Sequence, residues 1–185
     1  MNEMIVREQK GKSLFQFPKD YVVVDIETTG LNPQQNEIIE IGCIKVRDHK
    51  IVDSMSVLLK SEHLIPAFIT NLTGISNKMV EEKGVSAFEG LAKFLDFVDQ
   101  DIIVGHNVNF DINFLYDHSL RHLGCYVDND FVDTVRVARR LLKGKVSNCK
   151  LGTLVEYFQL DYSGAHRALQ DCKFTYHILE KLRKY

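Results

Sequence analysis

The chain has 185 residues, 45% of them hydrophobic, only three prolines and a formal net charge of −2. This length suffices for one well-buried globular domain and is short for two. No apolar run approaches the roughly 18 residues that cross a membrane, and the charged N-terminus is unlike a signal peptide, so we expect a cytoplasmic protein without membrane contact. The small net charge provides no global attraction to nucleic acid, so such a partner must be bound locally.

Residues 1–19 are polar and irregular as far as Pro18, and we interpret them as a tail or an added edge segment before a domain that spans 20–185. Three strands are then predicted, with a polar turn from Arg47 to Lys50 between the last two. Their sequences are YVVVDIE, EIIEIGCIKV and KIVDSMSVLL. Three successive strands indicate an antiparallel meander.

The apolar period changes after the loop that contains Pro66. Apolar residues recur at helical spacing from Phe88 to Val98, and Ser86 is a suitable N-cap for that helix. Two more strands are predicted, IIVG at 102–105 and FVDT ending at Asp133. Further helical patterns begin at Phe110 and cover Val135–Leu142, Leu151–Phe158 and Ala168–Leu182. The order of elements predicts an α/β protein, with helices packed on a sheet of mixed strand directions.

The first strand ends with two acids on one face, because Asp25 and Glu27 are two residues apart. Like charges this close need a compensating cation or raised pKa values. Asp111 follows a strand where a helix begins, and Asp171 lies in the apolar-periodic C-terminal helix. Four convergent carboxylates suit hard cations such as Mg²⁺ or Mn²⁺. Two such ions can stabilise the attacking and leaving oxygens at a phosphorus atom.

A histidine accompanies these acids. His166 precedes Asp171 by five residues, which on a regular helix would place the two side chains about 140° apart. Both can face one site only if His166 lies at the helix entrance, outside regular helical geometry, and Gly164 favours such a junction. A histidine there can accept a proton from an attacking water.

Each of these residues also has a purely structural interpretation. Asp111 and Asp133 can serve as turn or cap residues, and Asp171 can lie on a solvated face. For His106 a structural hydrogen-bonding role is favoured over metal binding. The four cysteines, Cys43, Cys125, Cys149 and Cys172, are widely spaced without a CxxC pair. This spacing argues against zinc and against a disulfide framework, and predicts free, mostly buried thiols.

Three segments taken in order are far more specific. DIETTG (25–30), HNVNFD (106–111) and HRALQD (166–171) closely resemble the three exonuclease motifs of the DEDDh, or DnaQ-like, 3'-5' exonucleases, the family of polymerase proofreading subunits and domains. The resemblance extends from about Tyr21 to Leu182. It includes LTGI at 72–75, DT at 133–134 and CKLGTLVEYF at 149–158, and no catalytic position departs from the pattern.

The resemblance implies a ribonuclease H-like fold with a mixed central sheet of about five strands. It implies two divalent metal ions, Mg²⁺ or Mn²⁺, with Asp25 bridging both, Glu27 and Asp171 at the first, and Asp111 at the second. His166 would be the general base. The family cleaves the terminal phosphodiester of a single-stranded 3' end and releases a nucleoside monophosphate, so the expected role is proofreading, DNA repair or end trimming on single-stranded DNA.

The same motifs imply contacts to the substrate. The first motif would meet the 3' hydroxyl and sugar through backbone N–H groups, the LTGI segment would flank the terminal base, and the second motif would line the opposite wall. Base stacking on an aromatic ring tolerates any sequence, although core packing is an equal alternative for Phe110. The implied contact residues are Thr28, Thr29, Gly30, Leu72, Thr73, Gly74, Asn107 and Phe110.

Basic residues recur at helical spacing in the next segment, and they are Arg136, Arg139, Arg140 and Lys143, with Lys145 and Lys150 beyond. They could follow the phosphates of a strand, but a solvated face is the favoured interpretation.

Two other functions remain open at the level of sequence. An exoribonuclease of the same family would carry the same motifs, since discrimination rests on the 2'-hydroxyl. A non-catalytic, polymerase-associated nucleic-acid-binding module is disfavoured by the intact acidic set. A DNA polymerase subunit is a candidate partner in either case.

Overall fold

The computed structural model describes residues 6–161 and 166–185. Within them, six strands form one sheet, in the spatial order β1-β6-β5-β2-β3-β4. The strands are β1 (Ser13–Leu14), β2 (Tyr21–Thr28), β3 (Ile38–Arg47), β4 (Lys50–Leu58), β5 (Ile103–Gly105) and β6 (Phe131–Asp133). The helices are α1 (Ala67–Thr73), α2 (Asn77–Lys83), α3 (Ala87–Val98), α4 (Asn109–Leu123), α5 (Thr134–Leu141), α6 (Leu151–Tyr157) and α7 (Ala168–Leu182).

Strands β2, β3 and β4 form the expected antiparallel meander, and β5, β6 and β1 continue the sheet from β2 in parallel. The turn between β3 and β4 is a two-residue hairpin in which Asp48 and His49 both have positive φ. Two positive φ angles match the right-handed twist of the flanking strands. The predicted α/β class with mixed strand directions is therefore confirmed.

Both faces of the sheet are covered, which explains the unbroken apolar run that opens β2. Val22 and Val24 pack with α3 and α4 on one face. Tyr21 and Val23 pack with α5, α6 and α7 on the other. A strand buried on both sides cannot show the polar alternation of a half-exposed one. Because side chains alternate, Asp25 and Glu27 point to the face that α7 covers.

The first turn of α7 lies directly against β3. A Cβ atom on Gly42 would come within 2.4 Å of the backbone carbon of Ala168 and 2.5 Å of the nitrogen of Leu169. The Cys172 thiol donates to the carbonyl oxygen of Gly42 at 3.2 Å. Glycine at position 42 thus allows a close approach of helix and sheet, and this approach sets the height of Asp171 above the sheet.

The sheet has one strand more than the five or so that the resemblance implied, and this extra strand agrees with the interpretation of residues 1–19 as an added edge segment. It comes from the N-terminal segment: Ser13 and Leu14 pair with Phe131 and Val132 at the sheet edge. Farther upstream, Arg7 forms an ion pair with Asp117 on α4. Ladder pairing with a strand more than a hundred residues away leaves no local pattern in a polar segment.

Two helices, α1 and α2, were also missed in the region that follows Pro66. Each has seven residues, too few for a helical period to stand out. The Ser86 N-cap is confirmed, since its side chain accepts from the Glu89 backbone N–H at 3.1 Å. All four cysteines are free as predicted, but Cys125 is exposed. Among the helices in the described part of the chain, none is both long and apolar enough to cross a membrane.

Candidate active site

The carboxyl ends of three parallel strands, β2, β5 and β6, lie side by side at one end of the sheet. β2 pairs with β5, and β5 pairs with β6 so that Gly105 lies opposite Asp133. The first sequence motif begins within the last half of β2, and the second directly follows β5, at the end of the strands where α/β sheets commonly place their ligands. The third motif arrives from the α7 face.

Three carboxylates converge at the end of β2. One oxygen each from Asp25, Glu27 and Asp171 lies within 4.8 Å of the other two. Asp171 is in the first turn of α7 and is buried, whereas Asp25 and Glu27 are only half-buried. Strand alternation brings the first two acids to one face, and the packing of α7 on β3 brings the third above them. The cluster thus opens to solvent on one side.

Asp111 lies beside this group. Its side chain is buried, and one carboxylate oxygen accepts the backbone N–H of Ile26 at 3.1 Å. This hydrogen bond joins the start of α4 to β2 near its carboxyl end. Asp111 is close enough for its charge to raise the pKa of Asp25. The structure therefore brings together all four acids that the sequence singled out, which we call the carboxylate site.

The carboxylate site is electrostatically unfavourable without a cation. Burial, and then the charges of the other acids, raise the pKa of Asp25 well above its ordinary value. The same causes raise the pKa of Glu27 to about 8. Burial raises the pKa of Asp171 to about 6, against the opposing effect of His166. Like charges withdrawn from water retain protons unless a cation replaces them.

The residues fit a hard divalent cation. All the clustered ligand atoms are carboxylate oxygens, which suit Mg²⁺ and Mn²⁺ and not soft metals. One carboxylate oxygen of Asp171, Oδ1, is buried without a hydrogen-bond partner among the described residues. Buried polar atoms are nearly always satisfied, so this oxygen is suited to a ligand that the protein itself does not supply.

His166 lies at the entrance of α7, two residues before the helix starts, and its φ of 64° is left-handed. The position that the sequence required for it is thus confirmed. Its backbone N–H bonds to Asp171 and its side chain is exposed. Gly164, which was expected to favour this junction, lies outside the described residues.

Two residues that sequence reasoning missed hold this entrance in place. Glu40 on β3 lies opposite Glu27 and is 1% exposed. Its carboxylate accepts two bonds from the Arg167 guanidinium, at 2.7 and 3.1 Å, and one from the backbone N–H of Ala168 at 3.1 Å. An acid between isoleucines in a buried strand, in EIIEIG, was the available signal.

His106 and Asp133 have structural roles, as their alternative interpretation held. The His106 ring bonds to the Thr134 hydroxyl at 2.8 Å and the Cys149 carbonyl at 2.9 Å. Burial lowers the pKa of His106, so the ring is neutral and donates from Nε2 to the carbonyl. Asp133 caps α5 through the N–H of Val135 and also accepts the N–H of Asn107.

The residues expected to contact the substrate differ in how far they are exposed to solvent. Leu72 is 52% exposed. Asn107 is exposed at a positive φ, Phe110 is half-buried against Phe114, and Gly74 ends α1 in the left-handed conformation.

Two of the expected contact residues already use polar groups within the protein. The backbone N–H of Thr29 is donated to the Glu37 carbonyl at 2.9 Å, so it is not free for a sugar. Thr73 is buried, and its hydroxyl donates to the Ile69 carbonyl. The Thr28 hydroxyl donates to the Gly30 carbonyl, which shapes the loop after β2 and leaves Gly30 at its bend.

Most of the chain matches a known protein family. The exonuclease family model RNase_T matches residues 22–179. The chain belongs to this exonuclease family. The match contains all three motifs, and it confirms the resemblance to the DnaQ-like exonucleases. It begins at the second residue of β2 and therefore leaves out β1.

Among curated proteins, the chain is 40% identical over 178 residues to a DNA polymerase III PolC-type protein of Caldanaerobacter subterraneus subsp. tengcongensis. The match covers 94% of this chain but only 12% of that protein. This chain is also 33% identical to the DNA polymerase III subunit epsilon of Aquifex aeolicus, and that match covers 88% of this chain and 79% of the subunit. The exonuclease thus corresponds to a small part of the PolC-type relative and to most of the epsilon subunit.

Among solved structures, the chain resembles E. coli exonuclease I in complex with a dT13 oligonucleotide, with a TM-score of 0.73 and 19% identity. The match covers 90% of this chain and 41% of exonuclease I. At this identity the likeness shows the fold alone. The ribonuclease H-like fold is confirmed.

Proposed function

We propose that this exonuclease is a divalent-metal-dependent 3'-5' enzyme that removes nucleoside 5'-monophosphates from single-stranded DNA. The observation that carries the proposal is the carboxylate site, in which Asp25, Glu27 and Asp171 converge within 4.8 Å with Asp111 beside them. Phosphodiester hydrolysis needs stabilisation of charge at phosphorus and a positioned water, and a site of this composition can supply both.

The residues have distinct proposed roles. Asp25, Glu27, Asp111 and Asp171 would hold two ions, Mg²⁺ or Mn²⁺, which when bound supply Lewis-acid stabilisation of the phosphate charge. His166, exposed beside Asp171, accepts the proton of the attacking water. The contacts of Glu40 with Arg167 and with the Ala168 backbone N–H anchor the chain directly after that histidine. The side chain of His166 can therefore move while its backbone stays in place.

The substrate preference rests on two lines of support. Leu72 and Phe110 present apolar surface without base-specific donors, which suits unpaired bases of any sequence. The relatives are DNA polymerase III proteins, and exonuclease I has been seen with a DNA oligonucleotide. We therefore propose DNA over RNA, and a proofreading role within or beside a replicative polymerase.

The deciding experiment is degradation of matched single-stranded DNA and RNA oligonucleotides, each labelled at the 5' end, with Mg²⁺, with Mn²⁺ and with chelator. We expect the 5' label to report stepwise shortening of DNA from the 3' end, chromatography of the products to show released 5'-mononucleotides, and chelator to abolish activity. Faster degradation of RNA would replace the proposal with an exoribonuclease. Binding of DNA without degradation under any metal condition would replace it with a binding module.

Variants assign the activity to the site. Asp25→Ala and His166→Ala should each abolish shortening. The matched controls are Asp96→Ala on α3 and His177→Ala on α7, both exposed and away from the carboxylate site. Full activity in Asp25→Ala or His166→Ala would disprove the assignment.

A further inference from the structure

A second concave surface lies at the same carboxyl end of the parallel strands, next to the carboxylate site. It encloses about 420 Å³ between the ends of β5 and β6 and the start of α6. We call it the basic cleft. Its polar lining is His106, Asn107, Arg139, Asn148 and Lys150.

The lining presents donors to an anion. Both ring nitrogens of His106 are occupied by Thr134 and Cys149, so this residue forms a fixed floor. No carboxylate lines the cleft within the part of the chain that the structure describes. The nearby Asp133 directs its Oδ1 to the backbone N–H groups of Asn107 and Val135. An arginine fork and an ammonium group around such a floor match a phosphate diester.

The sequence favoured a solvated face for the basic residues from Arg136 to Lys150, which we call the basic stripe, and the structure divides them into two groups. Arg136 bonds to the Ser13 hydroxyl at 3.0 Å, Arg140 stacks over the Phe15 ring at 4.6 Å, and Lys145 lies over the Tyr185 ring at 4.5 Å. These three cations contact other parts of the chain. Arg139 and Lys150 are exposed and form no ion pair with a described residue. Two cations therefore face the cleft without an ion-pair partner among the residues that the structure describes.

The cleft is positioned for a strand whose 3' end occupies the carboxylate site. β5 lies between β2 and β6, and strands are spaced by about 4.8 Å, so the cleft begins about 10 Å from Asp25. Asn107 connects the two regions, because it lines the cleft and its carbonyl accepts the N–H of Phe110 in the turn before Asp111. The path between them therefore follows the second motif.

We propose that the basic cleft binds a backbone phosphate of the substrate strand upstream of the scissile bond, through Arg139 and Lys150. This inference rests on the proposed exonuclease function and adds a second point of attachment to it. The carboxylate site takes the terminal phosphodiester. The cleft holds the part of the strand that stays after each cleavage, so it raises affinity without recognising sequence.

The test measures kcat and KM of the full chain on a single-stranded thymidine oligonucleotide and on the p-nitrophenyl ester of thymidine 5'-monophosphate, which ends before the cleft. In Arg139→Gln/Lys150→Gln we expect the ratio of kcat/KM on the oligonucleotide to that on the ester to fall about tenfold, mostly through KM. The dependence of log KM on log salt should become shallower by about 0.7 for each phosphate that the variant no longer binds.

Neutral methylphosphonate linkages, placed one at a time from the 3' end, locate the bound phosphate. The unaltered protein should show a raised KM at one upstream position, and the cleft variant should be indifferent there. The matched control, Arg140→Gln/Lys143→Gln, removes the same charge from exposed side chains outside the cleft lining and should behave as the unaltered protein.

Three results would overturn the inference: an unchanged ratio in the cleft variant, an equal fall in the control, or equal methylphosphonate sensitivity in the cleft variant and the unaltered protein. The single variant Lys150→Gln gives the same readout should the double variant unfold. Failure of the unaltered protein to cleave either substrate would instead contradict the proposed function, so the two failures are distinguishable.

Discussion

The carboxylate site and the basic cleft both lie at the carboxyl ends of the parallel strands, yet they are built in opposite ways. In the carboxylate site, acids are withdrawn from water and crowded, and backbone packing between α7 and β3 holds them in place. In the basic cleft, Arg139 and Lys150 are exposed on flexible side chains over a satisfied floor. The first arrangement costs folding energy and sets position, and the second costs little and adds attraction.

The contrast follows from what catalysis and strand binding each require of their side chains. Groups that must act on one phosphorus atom need positions fixed to a fraction of an ångström, so their supporting residues are buried. Groups that only retain a strand can remain mobile. Substitutions at the carboxylate site should therefore change kcat and stability by large factors, whereas those in the basic cleft should change KM modestly.

The largest effect is expected for Asp25→Asn. Activity should fall by about a thousandfold or more, the scale of losing a group that stabilises developing charge. The metal-free variant should nevertheless be more stable at pH 8, by about 1 kcal/mol, because a crowded charge with a raised pKa has been removed. Steady-state kinetics and chemical denaturation in chelator measure the two quantities. A lower free energy of unfolding in Asp25→Asn would show that the charge of Asp25 does not destabilise the metal-free fold.

Gly42→Ala tests the packing that sets the height of Asp171. The new methyl group would meet the backbone of Ala168 and Leu169, at 2.4 and 2.5 Å. We expect a loss of about 2 kcal/mol in the free energy of unfolding and about a hundredfold in kcat, since α7 must shift. Gly144→Ala is the control: it meets no atom but has positive φ, so it should cost about 1 kcal/mol and leave kcat unchanged. Equal kcat in both variants would separate the helix entrance from catalysis.

Glu40→Gln tests the anchor behind His166. The variant retains one acceptor oxygen where Glu40 uses both, toward Arg167 and Ala168. We expect kcat to fall about tenfold with little change in KM, and unfolding to become easier by about 2 kcal/mol. Combining it with Arg167→Gln should cost less than the sum of the single changes. If the losses of the two single variants simply add in the double variant, Glu40 and Arg167 do not act as one anchor. The control is Glu89→Gln: Glu89 forms an exposed ion pair with Lys93, so this variant should have almost no effect on kcat or stability.

The smallest effect concerns pH. A carboxyl group with a raised folded-state pKa binds its proton more tightly when folded. Its stabilisation is thus present at low pH and is lost as pH rises from the ordinary value near 4 through about 6 for Asp171 and about 8 for Glu27. Metal binding needs the deprotonated acids. We expect Mn²⁺ to raise Tm by about 3 °C more at pH 8 than at pH 6, in thermal unfolding followed by circular dichroism. A shift independent of pH would contradict the raised pKa values.

Elements that depend on local patterns were predictable from the sequence, whereas features that depend on distant partners were not. The β2 to β4 meander and the long helices α3, α4 and α7 followed from local periodicity, since the strands and one face of each helix are packed against neighbouring elements. The His166 position followed from helix geometry alone. By contrast, α1 and α2 were too short to show a period, and the Thr29 N–H was already used by Glu37.

The fold class, the four acids and the family could be predicted from the sequence, because apolar periods and short motifs are local properties. Three features became visible only in the folded chain: β1 pairs with β6, Glu40 anchors Arg167, and some basic side chains contact other parts of the chain while Arg139 and Lys150 line the basic cleft. Each of these depends on partners brought together from distant positions, as in the Glu40 and Arg167 pair, separated by 127 residues. Such contacts exist only once the chain has folded, and they decide which charges are satisfied and which remain free for a ligand.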